Sequence, residues 1–313
     1  MSKYFHIRMR FGTGGEDLAE ELWGKNRIGI WFGGWTPIDY RRSLEVTPSE
    51  RLQVFKEANT RAEVKNWQWK NVGELGVIDR FYQIKPDDWV CTSFAGCLHI
   101  AHVNVSVELA DAKYTRDCEP LKWREITAKR KFRLSELPDP YRLITAAQGA
   151  LYQIRSYDTA MRILAVSTNE REAFQHVAQL SWNDWIDFLG PKGWESLCTG
   201  HLILQHDFVP TGLITGGTLK DFDMIGANFK TGERIFAQCK KDKNPLGKVP
   251  KEFLDAAEDL LGRDKVVLFA YGGCQNYPGV TVVTGEDIRK WLDQDSTGKQ
   301  YWNLINARAD HSS

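Results

Sequence analysis

No run of apolar residues in this sequence is long enough to cross a bilayer as a helix. Its opening, Met1-Ser2-Lys3-Tyr4-Phe5-His6, lacks the apolar block of a secretory signal. Six cysteines, at 91, 97, 118, 198, 239 and 274, form no CxxC pair, which argues against a zinc ribbon. Net charge is missing too: 41 basic residues balance 41 acidic ones. Such a chain has no bulk attraction for a polyanion, so any affinity for nucleic acid must come from local patches. Internal repeats and low-complexity segments are absent. These gaps leave a globular protein, and the unpaired cysteines suit a reducing, cytoplasmic setting away from membranes.

Tryptophan is abundant. Seven of the 12 lie before residue 124, at 23, 31, 35, 67, 69, 89 and 123. The 313 residues suit two domains, and the tryptophan asymmetry predicts that the halves differ. We expect a recognition domain over 1–150, a helical connector over 151–184 and a second domain over 185–313.

The first half reads as short strands with one or two helices. Tyr4 to Phe11 and Arg27 to Trp35 have strand character. Thr47-Pro48-Ser49-Glu50 is a helix start, with Thr47 as N-cap and Glu50 closing a capping box. Ile78 to Ile84 predicts a strand, Lys85 to Asp88 a turn, and Trp89 to Thr92 another strand. His99 to Val105 alternates, which puts His99 and His102 on opposite faces and speaks against a shared metal. A basic run follows at Lys129, Arg130, Lys131 and Arg133. The pattern predicts a small, partly open β-barrel.

The second half is organised around Gly193 to Lys243. Leu197, His201, Leu204 and Phe208 recur at helical spacing, with Glu195 near the start. Asp223 to Phe229 and Arg234 to Lys240 read as a hairpin about a Lys230–Glu233 turn. If Phe229 pairs with Arg234, Asp223 faces Lys240 and lies diagonal to Gln238, with all three side chains on one face. A carboxylate, an amide oxygen and an ammonium then converge. Asp223 and Gln238 suit Mg²⁺, and Lys240 suits the nucleophile or the growing charge. Asp221 offers a second carboxylate two residues earlier. Pro250 to Leu261 predicts a helix, and Val266 to Ala270 and Val280 to Val283 predict strands. Thr284-x-x-Asp287 should cap a last helix.

A helix, an Asp entering a strand and Gln-x-Lys in the paired strand resemble the PD-(D/E)xK nucleases, and among them the Mrr-like restriction endonucleases. The resemblance spans roughly Trp185 to Asp293. It implies an α/β (α+β) fold whose C-terminal part is a restriction-endonuclease-like αββαβ mixed sheet, and Mg²⁺-dependent hydrolysis of DNA. It also implies catalytic roles for Asp223, Gln238, Lys240 and Glu195, with the Cys239 backbone carbonyl joining Asp223 and Gln238 around the metal. The strand, Lys-Pro-Asp-Asp-Trp-Val and alternating strand of the first half resemble the PUA superfamily, in its EVE and YTH branches. That likeness implies an aromatic cage for a flipped, modified base, drawn from Trp31, Trp35, Trp67, Trp69 and Trp89. Lys129, Arg130, Lys131 and Arg133 would hold phosphates. Trp67 and Trp69 alternate and so share one face.

The expectation is a modification-dependent (type IV-like) restriction endonuclease that binds double-stranded DNA as a homodimer. Two other readings stay open: a sequence-specific nuclease acting on unmodified DNA, and a DNA-binding module with a dead nuclease domain.

Overall fold

The computed structural model describes residues 2–9, 18–30, 33–64, 75–104, 106–109, 115–116, 119–146, 151–211 and 222–306. Chain contacts divide into two compact units, Met1–Leu180 and Ser181–Ser313.

In the first unit β1 (Tyr4–Ile7) leads through α1 (Ala19–Gly24) to β2 (Arg27–Ile30). The helices α2 (Pro37–Leu44), α3 (Pro48–Arg61) and α4 (Gly76–Gln83) follow. Thr36 and Thr47 each open a helix with a full capping box, and a proline takes the first turn of both. Then come β3 (Trp89–Phe94), β4 (Cys97–Val103) and the two-residue strands β5 (Glu108–Leu109), β6 (Thr115–Arg116) and β7 (Glu119–Pro120). The long β8 (Lys122–Arg133), α5 (Asp139–Thr145), β9 (Leu151–Gln153), α6 (Asp158–Val166) and α7 (Glu170–Ala178) complete the unit. The main sheet runs β2-β8-β4-β3-β1-β9, with β5 also on β8. It is mixed, because β1 pairs parallel with β3 while its other neighbours are antiparallel. It curves as a half-barrel around Phe5, Ile7, Ile28, Trp35, Phe55 and Phe81.

Three expectations are corrected here. The segment Ile78 to Ile84 is helix α4, not a strand. Its β-branched and aromatic residues suggest a strand, but Leu75, Ile78 and Phe81 fall three apart and are all fully buried, so one helical face meets the core. Residues 1–150 therefore carry five α-helices among the described residues, where one or two were expected. The expected connector over 151–184 is not a separate piece. β9 pairs with β1, and Ile154 N–H donates to the Tyr4 carbonyl at 2.8 Å. α6 buries Ala160, Met161 and Leu164, and Tyr141 Oη donates to the Ala160 carbonyl at 3.1 Å.

The second unit opens on α8 (Trp182–His206), capped by Ser181. It is two helices joined at Gly190, whose φ of 70° only glycine adopts cheaply, and Pro191 starts the second. The expected helical face reaching Phe208 ends early. Asp207 takes a left-handed φ of 50° and Phe208 begins a strand. The sheet is β10 (Phe208–Pro210), β11 (Met224–Asn228), β12 (Arg234–Lys240), β13 (Lys265–Ala270) and β14 (Val280–Thr284), in that spatial order. The first three strands are antiparallel and the last three parallel, so the sheet is mixed. Between β12 and β13 lies α9 (Lys251–Ala257), shorter than expected; after β14 come α10 (Gly285–Gln294) and α11 (Ser296–Asn306). One sheet face packs on α9 through Phe253, Val266, Leu268 and Ala270. Thr284 caps α10 with Asp287 as the sequence predicts.

Three histidines, His6 and His99 buried and His201 partly so, weaken this fold in acid. Burial holds His6, His99 and His201 each at about 4; Arg8 adds to the effect at His6, Lys131 and Lys129 at His99, and His206 at His201. An unfolded histidine titrates near ~6.5. Between those values the unfolded chain takes up protons that the folded chain refuses. Stability is therefore full above about 6.5 and drains away as the pH falls toward about 4. The urea midpoint should drop from about pH 7.5 to about pH 5, with a shallower slope in His6→Leu. Identical slopes in the two proteins would remove His6 from this account.

Candidate active site

The hairpin register decides the site. Met224 pairs with Ala237 and Ala227 with Arg234. This is two residues away from the expected pairing, so Asp223 lies across from Gln238 and not from Lys240. The turn chemistry explains the shift. Asn228 Oδ1 accepts from the Lys230 and Thr231 amides at 2.8 and 3.0 Å, and Gly232 closes the turn at φ 74°. The four turn residues are thus Phe229 to Gly232. A two-residue shift preserves faces, so Gln238 and Lys240 still share one side of β12.

At Asp223 the ladder parts. Its amide donates to the Ala237 carbonyl at 2.9 Å. One step further, the Cys239 amide finds the Asp223 carboxylate Oδ2 at 2.7 Å instead of a backbone carbonyl. The Phe222 ring turns to the α9 face, 5.4 Å from Phe236 and 5.6 Å from Phe253, just before the strand begins. The Asp223 carboxylate stands in the gap in the ladder. In a strand the N–H and C=O of one residue point to the same side, so the Cys239 carbonyl faces the same gap. Gln238 is buried beside it at 7 % exposure.

Glu195 approaches from α8. It lies one turn before Cys198, whose thiol is fully buried and neighbours that of Cys239. Burial pushes both thiols up, and the Asp223 and Glu195 carboxylates push both further. Lys192 Nζ holds Glu195 Oε2 at 2.6 Å. Thr199 Oγ1 lies 2.9 Å from Met224 Sδ and fixes the helix against β11.

Lys240 follows the gap, half-buried, with no ion pair among the described residues. The lysines after it are committed elsewhere. Asp187 of α8 pairs with Lys241 at 3.5 Å and also with Lys243. Burial pulls Lys241 below the ordinary lysine value, and Asp187 opposes that. Sequence reading missed Asp187, because nothing local links it to residues 54 and 56 positions later. It missed Lys192 as well, although the Lys-x-x-Glu spacing on a helix was a legible signal. Asp221 lies outside the described residues.

The donor set suits a hard divalent cation. It offers a carboxylate oxygen, a carboxamide and a backbone carbonyl around one gap. Among the described residues no group of three or more His, Cys, Asp and Glu side chains forms a metal cluster.

In the first unit the expected aromatic residues separate. Trp31, Trp67 and Trp69 lie outside the described residues. Trp35 is wholly buried, with Phe55 at 6.0 Å, Tyr82 at 5.8 Å and Lys122 Nζ 4.6 Å over its ring. It is packed in the core of the unit. Trp89 is 8 % exposed and packs on His102 at 3.9 Å, with the Arg130 guanidinium 5.3 Å away. The basic run is mostly engaged. Lys129 donates to the Trp23 carbonyl at 2.9 Å, Arg130 caps the end of α6 through the Leu164, Ala165 and Ser167 carbonyls, and Arg133 pairs with Glu136. Lys131 is exposed, with no ion pair among the described residues.

No helix among the described residues is long and apolar enough to cross a membrane. No protein-family model matches the chain, and no curated protein sequence does. Two solved structures show some likeness. One is the DNA modification-dependent restriction endonuclease AspBHI, 16% identical over 76% of this chain and 74% of that one, at a TM-score of 0.27. The other is the MspJI restriction endonuclease in complex with a 27-mer oligonucleotide, 10% identical over 78% of this chain and 70% of that one, at a TM-score of 0.25. At such TM-scores neither likeness carries weight for fold or function.

Proposed function

We propose that this chain is a Mg²⁺-dependent DNA endonuclease of the modification-dependent restriction type. The observation that carries the reading is the parting of β11 from β12 at Asp223. It leaves a carboxylate, the Cys239 carbonyl and the buried Gln238 around one gap, with Lys240 beyond it.

A divalent cation bound there would supply Lewis acidity and an acidified water. The chain's own groups do the rest. Cys239 N–H fixes one Asp223 oxygen and so orients the other. Gln238 adds a neutral oxygen donor, which keeps the net negative charge of the site low for an approaching phosphodiester. Lys240 balances the charge that grows on the phosphate oxygens. Glu195 adds a carboxylate from the facing helix.

The mixed sheet with helices on its faces supports the nuclease part of the reading. Recognition of a modified base belongs to the first unit, where the curved sheet offers aromatic residues and the exposed Lys131. Cutting both strands calls for two such sites, hence two copies on the DNA.

The test is Mg²⁺-dependent cleavage of matched plasmids: unmodified, methylated at cytosine or adenine, and hydroxymethylated. The expected result is cutting of one modified plasmid alone. Cutting of all plasmids equally removes the modified-base reader and leaves a nuclease of ordinary sequence. No cutting with Mg²⁺ or Mn²⁺, alongside retained DNA binding, replaces the enzyme with a binding module.

A further inference from the structure

We propose that Asp187, helped by Asn183, is a positioning residue for Lys240: the first segment of α8 grips the exit of β12 and so keeps Lys240 on its own face of the sheet. The inference rests on the role given to Lys240 in the proposed function, and it adds what holds that side chain in place.

Backbone fixes the path of the exit. Beyond Lys240 the chain stays paired with the exit of β13. Tyr271 N–H donates to the Lys240 carbonyl at 2.9 Å, Gly272 N–H to the Asp242 carbonyl at 2.9 Å, and Leu246 N–H to the Gly273 carbonyl at 2.8 Å. The approach is close, since a Cβ on Gly272 would sit 2.5 Å from the Lys243 carbonyl oxygen.

Side chains from α8 then hold the exit from one side. Asn183 and Asp187 lie four apart, on one face of the helix. Asn183 Oδ1 accepts from Tyr271 Oη at 2.5 Å. Asp187 pairs with Lys241 at 3.5 Å through one oxygen and with Lys243 through the other. One helical face therefore grips the exits of both strands.

Alternation carries this grip to Lys240. Cys239 and Phe269 are paired and face α8, where the Phe269 ring lies 5.9 Å from His201. Lys241 faces α8 as well, on Asp187. Lys240 pairs with Ala270, which packs on the opposite, α9 face. Neighbours on a strand point to opposite faces. While Asp187 keeps Lys241 on the helix, Lys240 cannot roll to that side. Partly exposed ion pairs stabilise a fold by only about 0–1 kcal/mol. Asp187 is 28 % exposed and Lys243 51 %, so the weight of the contact lies in placement more than in stability.

The experiment reads Lys240 itself and needs neither DNA nor metal. The full-length protein is treated with a limiting amount of a lysine-acylating reagent, and mass spectrometry gives the rate at each lysine. In Asp187→Ala, Lys240 should react faster by roughly two- to five-fold, the range such an ion pair permits. The exposed Lys56 and Lys299 should keep their rates, and the melting temperature should hold. Asp187→Glu, which retains the carboxylate, should return Lys240 to the wild-type rate. In a Lys241→Met/Lys243→Met background Lys240 should already be fast, and Asp187→Ala should add nothing. On a plasmid that the wild type cuts, Asp187→Ala should lower kcat by about tenfold with KM unchanged, because small misplacements near the reacting atoms are costly.

Three results overturn the inference. One is Lys240 reacting at the wild-type rate in Asp187→Ala. Another is the same acceleration in the double-methionine background, which would make Asp187 a distant charge. The third is faster reaction at every lysine with a lowered melting temperature, which would make Asp187 a residue of stability alone. If Lys240 speeds up while kcat holds, Asp187 places Lys240 but the catalytic role given to Lys240 falls. A wild type that cuts nothing removes that role too, and the acylation rates still decide the placement.

Discussion

On the proposed nuclease reading, Asp223→Asn should cut no DNA, a loss of about a thousandfold or more in rate, and should fold as the wild type does. The substitution separates two jobs of one side chain. The amide oxygen of asparagine can still accept from Cys239 N–H, so the strand end at 2.7 Å keeps its closure. What disappears is the negative charge at the gap. A hard divalent cation bound through oxygen loses its one anionic ligand on the sheet, and several kcal/mol of charge stabilisation go with it. Asp223→Ala should lose the rate too, and about 1 kcal/mol of stability with the hydrogen bond. Cleavage is measured on whichever plasmid the wild type cuts, and folding by circular dichroism and thermal melting. Asp223→Asn cleaving within about threefold of wild type would sink the site assignment.

Arg124→Met should cost about 3–5 kcal/mol, a large share of the roughly 5–15 kcal/mol that holds a domain together. Arg124 is fully buried in β8. Its guanidinium donates to the Asn104 carbonyl at 2.7 Å, the Ile84 carbonyl at 2.8 Å and the Phe81 carbonyl. Burial pulls its pKa down to about 10, with Asp88 and Tyr82 opposing. A buried cation can often be exchanged for an apolar residue at little cost, because its desolvation is refunded. Here the partners decide otherwise. They are backbone carbonyls at the end of α4 and in the link to β5, and methionine leaves all three without a donor. Leaving a buried acceptor unmade is the expensive half of the comparison. Urea titration at neutral pH measures the difference, and a cost below about 1 kcal/mol would show that water reaches those carbonyls in the variant.

Much of the second unit was legible in sequence. The alternation in 223–229 and 234–240 gave both hairpin strands, and Thr284 with Asp287 gave the last cap. Local chemistry specifies these features, so local reading reaches them. The register error came from weighing the strands and not the turn: Asn228 and Gly232, read as turn residues, place the pairing correctly. Glu195 could be set on a helix, but the kink that aims it depends on Gly190 in a conformation the sequence only permits. In the first unit Trp35 was misjudged for a different reason. Its neighbours Tyr40, Phe55 and Tyr82 come from three helices, one of which was read as a strand. Burial of a large ring is a property of assembly. Arg130, likewise, was read as a phosphate contact, and the end of α6 that it meets lies about 35 residues further on.

The short strand β10 has a consequence for how copies of this protein can meet. Asp207 and Thr211 exchange backbone hydrogen bonds with β11, so the amides turned away from the sheet are those at 208 and 210. Position 210 is proline and has no N–H to offer. An outside strand arriving at this margin would find a single donor over three residues, too few to extend the sheet. The margin thus resists runaway stacking of one molecule on the next, the route by which exposed strands seed insoluble fibres. It also constrains any pair that forms on DNA: the two copies cannot meet through one sheet continued across the β10 edge.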